Sequence, residues 1–221
     1  MQPWRVLERV VTPEGPLELR QRGERDFLIT IAGRVLMTSA AHRSEDELAR
    51  LACAPLDGRA RPRLLLGGLG MGYTLRAALD QLPRAAEVVV VDLNPSVVDW
   101  CRGPLAALTD SAALDPRVTL RVGDVARAIA GARPREYDAV VLDLYEGPRG
   151  GGNRRLYGAD ALDATAAALR PGGVAAIWSE EPDRPFADRF AAAGFEVQSH
   201  RAGGRGGRSH VVYLGRRPAA R

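Results

Sequence analysis

The stretch Leu64-Leu-Leu-Gly-Gly-Leu-Gly-Met-Gly-Tyr-Thr74, followed by Glu87-Val-Val-Val-Val-Asp92, reads as strand, glycine turn, helix, strand and acid. That order is the front half of a nucleoside-binding Rossmann-like unit. Gly68, Gly70 and Gly72 lack a Cβ, so the chain can turn sharply out of the first strand and a ligand can approach its backbone. Asp92, about 20 residues beyond the turn, is placed to accept hydrogen bonds from two ribose hydroxyls. Tyr73 stands where a dinucleotide fingerprint needs its third glycine, and no Lys-Ser/Thr follows as a P-loop requires. NAD and ATP therefore fall behind a nucleoside of the S-adenosylmethionine type.

Around this unit, a chain of 221 residues with 46% apolar content can bury one substantial core. No apolar run approaches the roughly 20 residues of a membrane span, and the start, Met1-Gln-Pro-Trp-Arg5, leads into charged, alternating sequence. The expectation is a cytoplasmic protein with no membrane partner. Cys53 and Cys101 read as reduced thiols packed in the core, and nothing resembles paired metal-binding cysteines, so no metal is called for. All of the basic charge is arginine, and the absence of lysine rules out Schiff-base chemistry. With a net charge of only +4 and interspersed signs, the composition does not by itself imply nucleic acid. The tract Arg201-Ala-Gly-Gly-Arg-Gly-Gly-Arg208 resembles an RNA-binding segment, but strand-like sequence on both sides favours a flexible hairpin loop.

Residues from about Arg5 to Ser39 alternate apolar and polar positions with turns at Gly23 and Gly33, which predicts a small antiparallel β unit over residues 1–43. Ser44 is expected to cap a helix running to Cys53, with Glu47 completing a capping box. From there to residue 221, strands near 63–67, 86–92, 117–122, 137–143 and 173–179 alternate with helices near 72–82, 95–107, 124–131, 157–170 and 184–193. Such alternation predicts a parallel sheet with helices on both faces. Residues 194–200 and 209–215 lack an intervening helix and should pair as an antiparallel hairpin. The result is a seven-stranded, mostly parallel α/β sheet of the Rossmann-like class I methyltransferase fold.

Ligands in such sheets bind at the carboxyl ends of the strands. The candidates are Gly68, Gly70, Asp92, Asn94, Asp124, Asp143, Tyr145 and Glu146. Asp124, in Val122-Gly-Asp-Val125, could take a hydrogen bond from an adenine amino group or simply cap the next helix. Asp143 follows a fully apolar strand end and should emerge into the nucleoside crevice.

Taken together, residues from about Ser44 to Trp178 resemble the spermidine synthase family, the polyamine aminopropyltransferases. The resemblance rests on five signatures in order: Gly67-Gly-Leu-Gly-Met-Gly72, Asp92-Leu-Asn94, Gly123-Asp124, Asp143-Leu-Tyr-Glu-Gly-Pro148 and Leu169-Arg-Pro-Gly-Gly173. It implies that Asp143 is the catalytic base, Glu146 a second acid, and the N-terminal β unit a dimerisation element, hence a homodimer. The departures fall on the chemistry. Gly70 stands where the family's turn carries an acid that grips the amino group of decarboxylated S-adenosylmethionine. The stretch Glu45-Asp-Glu47 keeps an acid but loses the aromatic of the amine pocket, and the arginine-glycine tract replaces the family's aromatic C-terminal segment.

The reading is a transferase that uses S-adenosylmethionine to move an alkyl group, methyl foremost, to a small amine-bearing acceptor. Gly68, Gly70 and Gly72 would seat the amino-acid end of the cofactor, Asp92 the ribose and Asp124 the adenine, with Asn94 a further member of the cofactor site. Asp143 would act as base, with Glu146 and Tyr145 orienting the acceptor. Two alternatives stay open: a true aminopropyltransferase using decarboxylated S-adenosylmethionine, and a non-catalytic nucleoside- or RNA-binding protein.

Overall fold

The structure, a computed structural model, describes residues 2–148, 154–203 and 210–219. Residues 204–209, most of the arginine-glycine tract, lie outside the described residues, as do residues 149–153 of the Pro/Gly-rich loop. The chain opens with strands β1 (Arg5–Thr12), β2 (Gly15–Arg22), β3 (Asp26–Ile31) and β4 (Arg34–Thr38). They form an antiparallel meander in the order β1-β2-β3-β4. Gly23 and Gly33 adopt left-handed φ values of 60° and 78° in its hairpin turns, where a side chain would be strained. Helix α1 (Arg43–Cys53) follows. Its cap differs from expectation: His42 occupies the N-cap, and Ser44 lies inside the first turn with its hydroxyl donating to Glu45. Glu47 bonds Arg50 instead of closing a capping box.

The rest alternates strand and helix: β5 (Arg63–Gly67), α2 (Tyr73–Gln81), β6 (Glu87–Asp92), α3 (Pro95–Arg102), β7 (Val118–Val122), α4 (Val125–Ala130), β8 (Tyr137–Leu142), α5 (Ala159–Ala168), β9 (Leu169–Ser179), α6 (Arg184–Ala192), β10 (Glu196–Ala202) and β11 (His210–Arg216). Seven strands make one sheet in the order β10-β11-β9-β8-β5-β6-β7. Strands β5 to β9 pair in parallel, and β11 pairs antiparallel with both β9 and β10. The buried runs Leu64–Leu66 and Val88–Val91 take the centre, because a strand covered on both faces has no polar side to present. The strand order reverses between β5 and β8, which places a crevice at the carboxyl ends of these strands.

Two elements depart from the sequence reading. Helix α3 stops at Arg102 rather than near 107, because Gly103 caps it and Pro104 disfavours helical backbone before it. Strand β9 begins at Leu169 rather than 173, with Tyr137 opposite Leu169 but Ala139 opposite Val174, so Arg170-Pro-Gly-Gly173 is a bulge within it. Gly173 is required there, since a Cβ would come 2.8 Å from the Arg170 carbonyl oxygen and 2.9 Å from that of Asp138. The bulge brings Arg170 to the buried Asp138 carboxylate at 2.5 Å, where Arg59 also pairs and the Arg63 amide donates at 2.7 Å.

The meander is not packed apart from the Rossmann sheet. Its Leu17, Leu19, Phe27 and Ile29 share one apolar cluster with Leu48 of α1, Met71, Leu75 of α2 and Trp100 of α3. The buried Trp100 donates its indole N–H to Glu8 of β1 at 2.8 Å. A second cluster, on the other sheet face, joins α4, α5 and α6 through Ile129, Leu162, Phe186 and Phe190. No helix among the described residues is long and apolar enough to cross a membrane.

Asp138→Ala would leave two guanidinium groups and a backbone amide without their buried partner, so stability should fall by about 3–5 kcal/mol in chemical denaturation. A loss below about 1 kcal/mol would show that the cluster does not hold the amino ends of β5 and β8 together.

Candidate active site

The chain leaves β5 at Gly67 and turns into α2 through Gly68, Gly70 and Gly72, whose φ values of 88°, 54° and 86° are all left-handed. At Gly68 the need for glycine is also steric, because a Cβ would sit 2.0 Å from the carbonyl oxygen of Asp143. At Gly70 a Cβ would meet the Met37 sulfur of β4 at 2.9 Å, and that sulfur lies 3.2 Å from the Met71 amide. Asp92, at the end of β6, ties the turn down. One carboxylate oxygen accepts from the Leu69 amide at 2.8 Å and the other from the Asn94 amide at 2.9 Å. Burial raises its pKa, against the opposing pull of amides at Asn94, Leu69 and Gly70. The carboxylate keeps lone-pair capacity for a ligand hydroxyl. Asn94 enters through its backbone and heads α3 without a side-chain cap bond.

Asp124 heads α4, its carboxylate accepting from the Ala126 amide at 2.8 Å and pairing with Arg155 at 2.9 Å. The helix-cap reading of this residue is therefore what the geometry displays. Between the two acids lies an apolar surface that the sequence reading did not pick out. Leu93, 66% exposed, follows Asp92, and Val122, 56% exposed, lies opposite Asp92 in register and just before Gly123-Asp124. Two exposed aliphatic side chains at the carboxyl ends of β6 and β7 offer a flat contact of the kind a purine ring needs.

Asp143 emerges from β8 beside the glycine turn, its amide donating to the Gly67 carbonyl at 2.9 Å. The Thr74 hydroxyl of α2 donates to its carboxylate at 2.5 Å. Burial raises the Asp143 pKa to about 7, the Glu45 carboxylate adds to the rise, and the Thr74 bond opposes it. A carboxyl poised there changes protonation around neutral pH, as a general base must. Thr74, Glu45 and Met37 were missed by sequence reasoning. Thr74 lies in the first turn of α2, and its role is readable only once α2 is known to abut the end of β8. Glu47, the acid singled out from its segment, is engaged by Arg50, whereas Glu45 is the α1 acid that acts on Asp143.

Tyr145, 39% exposed, has the Arg34 guanidinium of β4 over its ring at 5.5 Å. Glu146 is half-buried, and the Tyr157 hydroxyl donates to its carbonyl at 3.4 Å. The next residue, Gly147, donates its amide to Glu180 at 3.0 Å, and a Cβ there would strike Ser179 at 2.8 Å. Asp143 thus sits on the glycine turn, while Tyr145 and Glu146 lie in the loop between the meander and the end of β9. Cys53 and Cys101 are buried, and burial pushes both thiols up to about 12, so neither serves as a nucleophile near neutral pH.

The strand order, the glycine turn at its reversal and the terminal antiparallel hairpin define the Rossmann-like fold of class I methyltransferases. The Spermine/spermidine synthase domain family matches residues 52–184, and the chain belongs to this family. It is 36% identical over 132 residues to putrescine N-methyltransferase 3 of Nicotiana tabacum, a stretch covering 57% of this chain and 32% of that protein. It is 34% identical over 131 residues to polyamine aminopropyltransferase 2 of Pseudomonas aeruginosa, covering 58% and 37% respectively. The chain thus spans about a third of the length of the curated relatives it matches. The spermidine synthase of Thermotoga maritima superposes with a TM-score of 0.78 at 16% identity, over 98% of this chain and 74% of that one. A spermidine synthase in complex with the transition-state analogue AdoDATO gives 0.77 at 16% identity, over 98% and 73%. These likenesses extend through the meander as well as the sheet, and they establish the fold.

The raised Asp143 pKa carries a stability signature. The folded chain holds this proton up to about pH 7 and the unfolded chain only to about 3.8, so stability is lost as pH climbs between those values. Asp143→Asn cannot ionise. It should therefore gain stability relative to the parent as pH rises from 4 to 8, measured by thermal unfolding across that range. A difference independent of pH would place the Asp143 carboxylate in a solvated setting.

Proposed function

We propose that the protein is a transferase that moves an alkyl group, methyl foremost, from S-adenosylmethionine to a small amine. The carrying observation is Asp143, a carboxyl raised to about 7 at the lip of a glycine turn that no side chain could occupy. The turn fits such a cofactor, since its left-handed glycines leave backbone amides approachable and Asp92 and Leu93 stand where a ribose and base would follow. When bound, S-adenosylmethionine supplies a carbon on a sulfonium, from which a neutral thioether departs with the bonding pair. The remaining work is alignment and removal of one proton from the attacking amine. Asp143 takes that proton, Thr74 fixes the carboxylate that receives it, and Tyr145 and Glu146 border the acceptor. Asp124 shares its carboxylate between its helix cap, Arg155 and the adenine.

Donor choice follows from position 70. Met37 fills the space into which a side chain there would project, so the turn presents no anion to the amino-acid end of the cofactor. That favours a donor retaining its own carboxylate, and the likeness to putrescine N-methyltransferases points the same way. The aminopropyltransferase relatives support the second reading, transfer of an aminopropyl group from decarboxylated S-adenosylmethionine. Exposed Val6, Val11 and Val35 on the meander support pairing of two copies through that sheet.

Calorimetric titration with both donors tests the reading. S-adenosylmethionine should bind at least about tenfold tighter than the decarboxylated form, a difference of about 1.4 kcal/mol. Asp92→Ala should cost about 2–4 kcal/mol of that binding, the loss of a charged acceptor from two hydroxyls. Product formation, followed by mass spectrometry over a panel of amines, should rise with pH through about 7 and fall by roughly 10²–10⁴ in Asp143→Asn with cofactor affinity held. Absence of transfer from either donor, with Asp143→Asn unaltered in every measured property, would overturn the reading.

A further inference from the structure

Strands β9, β10 and β11 place Trp178, Val212 and His200 in one row, because Val212 is the register partner of both Trp178 and His200. Leu142 is opposite Ile177, so Asp143 continues the same row on the far side of Trp178. This is the sheet face that packs under α1, as Ala176, Val212 and Leu48 share one apolar cluster and Trp178 packs against it. His210 lies two residues from Val212 on that face, its ring 4.9 Å from the Trp178 ring. From above, α1 brings Glu45 into electrostatic contact with Asp143, and Glu47 into contact with His200. A strip of indole and imidazole therefore runs away from Asp143 along the carboxyl end of the sheet.

Three polar atoms of this strip have no hydrogen-bond partner. Trp178 Nε1, His200 Nε2 and His210 Nδ1 are closed to solvent, although each ring is partly exposed. They make up three of the six buried side-chain polar atoms without a hydrogen bond among the described residues. Burying such atoms unpaired is unfavourable, and each one in a native structure calls for a partner such as a water, an ion or a ligand group. The indole N–H can only donate, so its missing partner must be an acceptor. The imidazole nitrogens donate or accept according to tautomer. An ammonium group has three donors and no acceptor, so the far end of a bare diamine would leave Trp178 unpaired.

We propose that Trp178, His200 and His210 form the far wall of the acceptor site and select an amine whose distal end carries an oxygen, hydroxyl or carboxylate, over a diamine. The inference rests on the transferase reading in taking the crevice beside Asp143 as the acceptor site. The attacked nitrogen lies at Asp143, and the oxygen end, once the rings part to admit it, accepts from Trp178 while the imidazoles adjust their protons to it.

The test compares 4-amino-1-butanol and 4-aminobutyrate with putrescine as acceptors for the full chain, with each donor. In the parent, kcat/KM for at least one oxygen-ended amine should exceed that for putrescine by about tenfold or more, and the two arms identify which oxygen group is taken. Trp178→Phe keeps an aromatic six-membered ring and removes the N–H, so the ratio should fall to within about threefold, with folding checked by the melting temperature of the free protein. His200→Phe should reduce the ratio too, and it carries the comparison if Trp178→Phe does not fold. A parent ratio under about tenfold, or a preference that survives in both variants, overturns the inference and leaves the transferase standing. Should none of the three amines be alkylated, the transferase reading is judged by the wider amine panel and by Asp143→Asn, and binding judges the present inference. Calorimetry of the same amines against the protein saturated with S-adenosylmethionine then decides. Tighter binding of an oxygen-ended amine, lost in Trp178→Phe, upholds the assignment, and equal or undetectable binding overturns it.

Discussion

The close approach of two strand ends is the constraint on which the rest of the site depends. Gly68 lies so near the Asp143 carbonyl that no β-carbon can intervene, and the Asp143 amide bonds the Gly67 carbonyl. This contact joins β5 to β8 at the point where strand order reverses. It delivers the Asp143 carboxyl to a place where solvent is scarce, which raises its pKa, and it aims the first turn of α2 so that Thr74 meets it. The glycine and the acid are thus two halves of one device. A substitution at either would be felt at the other before any ligand was involved.

A second dependence runs through the meander. Met37 of β4 occupies the space above Gly70, Arg34 covers Tyr145, and the Tyr73 hydroxyl donates to the Ser39 carbonyl while His42 stacks on its ring at 4.1 Å. The four-stranded sheet therefore forms one wall of the crevice, and it shares an apolar cluster with α1, α2 and α3. Whatever selectivity the glycine turn has is set partly by a residue more than thirty positions earlier in the chain. The family signatures all lie in the sheet, so they record the nucleoside half of the site far better than this wall.

The sheet was legible in the sequence because its signals are local. Leu64–Gly67 and Val88–Asp92 announce themselves by composition, the glycines by spacing, and the terminal hairpin by the absence of a helix between two strand patterns. The misplacements have local physical causes. Pro104 shortens α3 through its effect on the residue before it, and the bulge at Arg170–Gly173 answers to Asp138, a residue over thirty positions away. The cap of α1 was misassigned because Ser44 and Glu47 have the right spacing, but the helix begins two residues earlier, with His42 at its N-cap. Among site residues, Asp92, Asp124 and Asp143 follow strands and could be named. Thr74, Glu45, Met37, Leu93 and Trp178 matter only through which element they face, and that is a property of the assembled sheet.

The departures from the family pattern have a common physical sense. An aliphatic diamine is held by carboxylates at its ends and by aromatic faces along its methylenes. In this chain, Glu47 is spent on Arg50, and the strip beyond Asp143 presents an indole N–H and two imidazoles in place of anions. At the other end of the crevice, Met37 fills the place into which an acid at position 70 would project. Both changes remove negative charge where a cationic group would lie, while Asp143 and its Thr74 support are kept. On the function proposed above, a site altered in this direction retains a carboxyl to take a proton from an attacking amine and offers fewer anions to a second ammonium. On that reading, the proton transfer at Asp143 and the identity of the acceptor are separable properties of the fold.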